Sequence, residues 1–97
     1  MVEPVRFDDV ESGVFVPVGV LLRRVRDLRG WKQFEVADKS GFSPSFIGGV
    51  EAGSRPVRRV PTIVRLADVL MIPRGQLFDW VVSEVEREEL SLRGEAL

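Results

Sequence analysis

Residues 33–50, QFEVADKSGFSPSFIGGV, ask for two short helices crossing steeply at a tight turn, and this constrains the rest of the chain. Gly41 tolerates the positive φ that such a turn requires. Ser43 suits an N-cap, because its hydroxyl can accept a bond from a free helical N–H. Pro44 suits the first helical position, where its missing N–H costs nothing. Two backbones that cross closely need a small side chain between them, and Ala37 supplies it. The spacing therefore predicts one helix over 33–40 and another over 44–52 that stops at Gly53. Val36, Phe42, Ile47 and Val50 fall on the inner faces, which further helices must cover.

The flanking sequence offers those helices. From Val18 to Arg29, Leu21, Val25 and Leu28 recur at i, i+4, i+7, with Arg23, Arg24 and Arg26 mostly off the stripe and Gly30 as a terminator. Residues 54–60 read as a basic loop. Pro61-Thr62 opens a fourth helix with Ile63, Leu66, Ala67 and Leu70 on one face, and Pro73 marks the start of a fifth. That last helix carries Leu77, Phe78, Val81, Val82 and Val85, a stripe about two residues wide, and then an acidic end. Residues 1–16 read as an N-terminal arm with Val14, Phe15 and Val16 pinned to the body, and residues 91–97 as a frayed tail. The expected fold is all-α, a compact five-helix domain over 17–90; a chain of 97 residues supports one such core.

Composition removes most other possibilities. The chain has neither cysteine nor histidine, so it lacks disulfides, thiolate nucleophiles, imidazole bases and the usual zinc ligands. The remaining carboxylates, lysines and hydroxyls form no catalytic constellation. No enzymatic activity, cofactor, metal or small-molecule ligand is expected. No apolar run reaches the roughly 18 residues of a membrane span. The acidic start, MVEPVRFDDVESG, lacks the order of a secretory signal, and a cytoplasmic location is the expectation. Net charge is −1, but residues 17–74 carry a local balance of +6 between two acidic ends. A basic body of this kind is a pattern of nucleic-acid binding, and ordinary solvated surface is its bland counterpart.

The stretches LLRRVRDLRGWKQFEVADKSGFSPSFIGGVEAG and RLADVLMIPRGQLF together resemble the Cro/repressor-type helix-turn-helix regulators, also called xenobiotic-response-element-like. The likeness runs from about Val18 to Trp80. It rests on Gln33, Ala37, Gly41, Ser43, Ile47, Glu51 and Gly53, which recur together in that family. It implies a five-helix domain that binds operator DNA as a dimer with its third helix in the major groove. Gln33, with Lys32 beside it, would hold a phosphate at the start of helix two, where free N–H groups favour anions. Ser43, Pro44, Ser45 and Gly49 fall where the family reaches phosphates or base edges, and Arg55 where relatives place a basic contact. Phe46 reads either as core or as packing against the sugar–phosphate backbone. Glu51 reads as structural, paired with an arginine of helix one.

One departure stands out. Gly49 replaces the long polar side chain that many relatives use to read a base, and Gly48 precedes it. Two glycines inside a helix cost roughly 1 kcal/mol each relative to alanine. Direct reading by helix three is thin, so Arg55, Arg58 and Arg59 are expected to supply affinity, and shape readout with it. Trp80, Val81 and Val85 are the expected dimer contacts; a helix buried along one broad face is the alternative. The sequence thus points to a homodimeric transcriptional regulator on a palindromic operator. Its rival is a protein-interaction module, an antitoxin or adaptor, built on the same fold.

Overall fold

Each helix starts and stops where local chemistry requires it. In a computed structural model, which describes residues 15–92, the chain forms α1 (Val18–Arg29), α2 (Gln33–Ser40), α3 (Pro44–Ala52), α4 (Val60–Leu70) and α5 (Arg74–Leu92). Gly41 ends α2 at φ 78° and Gly53 ends α3 at φ 84°, both in the left-handed region that side chains avoid. The Ser43 hydroxyl accepts from the Phe46 N–H at 3.0 Å, which caps α3 as its sequence predicts. At α2, the Glu35 carboxylate reaches back to accept from the Lys32 N–H at 2.9 Å.

Two boundaries differ from the sequence reading. Helix α4 begins at Val60 rather than Pro61, because the first four N–H groups of a helix lack intrahelical partners and a proline among them loses nothing. Helix α5 continues through Ser91 and Leu92, which the reading gave to a frayed tail. The remaining tail residues, 93–97, and the arm residues 1–14 lie outside the described residues.

Leu21, Leu22 and Val25 of α1 meet Val36, Ala37, Ile47 and Val50 of the α2–α3 pair, and Ile63, Leu66 and Leu70 of α4 close the core. Leu77 and Val81 of α5 seal it from the far side. Burying side chains of this size stabilises the fold by about 1.5–3 kcal/mol each. Leu28, expected on the inner stripe of α1, is instead 74% exposed. The buried face turns through Leu22 and Arg26, so position 28 points outward. Gly19 allows α1 to touch the end of α3: a Cβ there would overlap the Val50 carbonyl oxygen.

Of the arm, Val16 is buried and Phe15 stacks on Trp80 with ring centroids 5.7 Å apart. The Trp80 indole N–H donates to the Val16 carbonyl at 2.6 Å. Two of the three expected dimer contacts are engaged within the chain. Val81 is a core residue, 4% exposed, and Trp80 is half-buried and engaged with its own chain. Val85 is exposed, and at i, i+4, i+7 it shares a face of α5 with Phe78 and Val82, which are exposed as well.

Candidate nucleic-acid interface

The N-termini of α2 and α3 are open to solvent, and the residues expected to meet DNA cluster there. Lys32 and Gln33 are exposed at the start of α2, and Ser43, Pro44 and Ser45 at the start of α3. Both ends present the positive end of a helix dipole, which suits phosphate, although at α3 Pro44 has no N–H and the Ser43 hydroxyl takes that of Phe46. Phe46 is half-buried, its ring centroid 4.7 Å from that of Phe42. It belongs to the border of the core rather than to a free apolar patch.

Beneath this surface lies a buried ion pair. The Arg26 guanidinium donates from Nε to Glu51 Oε2 at 2.7 Å and from Nη2 to Oε1 at 2.9 Å, and from Nη1 to the Trp31 carbonyl at 2.8 Å. Gln33 donates from Nε2 to Glu51 Oε1 at 3.0 Å. This is the pairing of Glu51 with helix one that the resemblance implies. Burial alone would raise the Glu51 carboxyl; the bonds from Arg26 and Gln33, with the nearby charges of Arg26 and Arg23, outweigh it and hold the group below its ordinary value. One carboxylate thus ties α1, the start of α2 and the end of α3 together.

The three loop arginines separate sharply. Arg58 donates to Glu84 at 2.9 Å and to Glu88 at 2.7 Å, both on α5, and to its neighbouring Val57 carbonyl. Burial opposes its charge, but the hydrogen bonds to Glu88 and Glu84 prevail and keep the guanidinium more firmly protonated than usual. Glu84 also accepts from the Val18 N–H at 3.0 Å, at the start of α1. Arg58, expected at DNA, clamps the loop to α5 in this structure, with Nη1 and Nη2 both donating inside the chain. Arg55 and Arg59 are exposed, and neither has a carboxylate partner among the described residues.

The outer face of α3 consists of Pro44, Ser45, Gly48, Gly49 and Ala52, all short. Two side chains from elsewhere cover its glycines. A Cβ on Gly48 would lie 3.6 Å from the Gln33 amide oxygen, and one on Gly49 only 3.0 Å from Arg55 Cγ. Sequence reading identified Gln33 and Arg55 separately and missed that both lie across the glycine pair. The signal was the spacing from Gly49 to Arg55 through Gly53, which turns the chain back over the helix. Arg65, to which the sequence reading gave no role, sits with its guanidinium carbon 5.3 Å from the Phe42 ring centroid, beside the α2–α3 turn.

Comparison with known proteins agrees with this geometry. The family model described as a helix-turn-helix domain matches residues 17–79. Among solved structures, the chain is 40% identical to the restriction-modification controller protein C.AhdI from Aeromonas hydrophila, covering 62% of this chain and 89% of that one, with a TM-score of 0.57. It shares the fold of SinR, a master regulator for biofilm formation solved in complex with DNA, at 20% identity over 63% of this chain and 97% of that one (TM-score 0.58). It likewise shares the fold of the clp gene regulator ClgR from C. glutamicum, at 21% identity over 69% and 86% of the two chains (TM-score 0.58). No curated protein sequence matches the chain. With the family model covering α1 to α4 and the first part of α5, this protein belongs to the helix-turn-helix domain family, of the Cro/repressor type.

Proposed function

We propose that this protein is a sequence-specific DNA-binding transcriptional regulator that acts as a homodimer on a palindromic operator. One observation carries the reading: the outer face of α3 is flanked by Arg55, which has no carboxylate partner among the described residues, whereas Arg26, Arg58 and Arg74 are each neutralised within the chain. A cation without a carboxylate partner among the described residues, beside two solvent-exposed helix N-termini, suits a polyanion. Helix α3 would enter the major groove, with Lys32, Gln33 and Ser43 on flanking phosphates and Arg55 and Arg59 supplying further contacts. The exposed face of Phe78, Val82 and Val85 on α5 would meet its copy, so that two half-site readers act as one ligand. The likeness to C.AhdI supports a regulatory role of the controller kind.

Selection of genomic fragments on the purified protein, followed by sequencing, tests this reading. A recovered palindrome is the expected result; no enrichment over input would overturn it. In that case the exposed Phe34 on α2, 62% accessible and beside Glu35 and Asp38, would turn attention to a protein-interaction module.

A further inference from the structure

The glycine pair of α3 has a structural purpose beyond helix packing. The Gly49 carbonyl accepts from the Ser54 N–H at 3.0 Å, the Arg55 N–H at 3.1 Å and the Ser54 hydroxyl at 3.2 Å. With the Gly53 N–H, four donors meet one oxygen and fix the start of the loop on the last turn of α3. The Arg55 stem then lies across Gly49, where a Cβ would stand 3.0 Å from Cγ and 3.1 Å from Cδ, closer than such atoms normally approach. Its guanidinium carbon sits 5.9 Å from the Phe46 ring centroid, so the exposed fork lies along the outer face of α3. No residue of that face has the reach to read a base itself.

We propose that Gly49 and Arg55 form one reading unit, in which the glycine clears the face of α3 so that Arg55 can take guanine in the major groove. Arg55 is the specificity-determining residue, and Gly49 is a positioning residue that acts through it. The arginine fork matches the O6 and N7 acceptors of guanine in a bidentate pair, and a lysine cannot reproduce that geometry. A side chain anchored by its own backbone bonds and its stem loses little freedom on binding, as a precise reader requires. The inference rests on the proposed DNA-binding function and names the base that the site selects.

The test is site selection with the full chain and three variants, Arg55→Lys, Arg55→Ala and Gly49→Ala, each checked by thermal melting. The wild type is expected to recover a guanine at one fixed position in both half-sites, preferred roughly tenfold or more over other bases there. Arg55→Lys removes that preference, leaves the other positions intact and keeps the affinity for random duplex within about twofold, because the charge remains. Gly49→Ala weakens the same preference with no fall in melting temperature. If Arg55→Ala lowers affinity equally for every sequence and the guanine preference survives, Arg55 is a phosphate contact and the inference fails. If Gly49→Ala selects the wild-type site with full preference, the glycine does not position the arginine. A wild type that enriches no site overturns the DNA-binding reading itself, a result distinct from both.

Discussion

Glu51 joins three helices through a single carboxylate, so its removal should be felt well beyond its own size. Its side chain is 6% exposed and that of Arg26 is 10% exposed, and breaking a buried pair by removing one partner typically costs 3–5 kcal/mol. Glu51→Ala should lose stability of about that order in denaturant unfolding. The pH dependence has a definite sign. The folded carboxyl is held below its ordinary value of 4.5, so its stabilising contribution is full above that pH and is lost as pH falls through the lowered folded-state value. Acid titration of the wild type should show this loss, and Glu51→Gln should not show it. Gly19 and Gly75 make a second residue-level contrast. Alanine at Gly75 meets open space and should add about 0.5–1 kcal/mol of stability, whereas alanine at Gly19 meets the Val50 carbonyl and should cost about 1–3 kcal/mol or more. Melting curves of the two variants should therefore move in opposite directions. Sequence alone could anticipate Glu51 as an anchor from the resemblance, but not the division among the loop arginines. Arg55 and Arg58 look alike in the chain; what separates them is Glu84 and Glu88, 26 and 30 residues beyond Arg58.

At the scale of elements, helix limits were the most legible feature because they depend on neighbouring residues. Ser43-Pro44, Gly41 and Gly53 mark α2 and α3 without reference to the tertiary structure. Which half of a stripe faces inward is a tertiary matter. On α5 the apolar stripe is wide enough to be packed on either side, and the structure buries Leu77 and Val81 while leaving Phe78, Val82 and Val85 out. Leu28 failed for the same reason: α1 turns the charged Arg26 inward to meet Glu51, and periodicity of apolar residues cannot foresee a buried charge. The proposed dimer leads to a prediction about α5. Val82→Glu places a charge on the exposed face without touching the core, so the variant should fold with a near wild-type melting temperature. It should sediment as a monomer and bind the full palindrome on the order of 100-fold more weakly, by loss of effective concentration. Wild-type affinity in this variant would mean that the dimer, if formed, uses another surface.

For the whole molecule, the distribution of charge governs the expected behaviour more than its sum. A net charge of −1 would discourage a polyanionic partner, yet residues 17–74 hold a balance of +6, and the carboxylates at 84 and 88 are turned onto Arg58. The acidic end of α5 is thus partly spent inside the chain, away from the open ends of α2 and α3. Counterion release makes such an interface sensitive to salt in proportion to the phosphates it neutralises. The most direct measurement is the affinity for the selected site as monovalent salt rises from about 50 to about 200 mM. A dimer with roughly 6–10 phosphate contacts should lose about 10³–10⁵ in affinity over that range, and a scrambled duplex should bind more weakly throughout. Affinity indifferent to salt, or equal for site and scrambled duplex, would contradict the account of α3 and its flanking cations as a sequence-reading DNA interface.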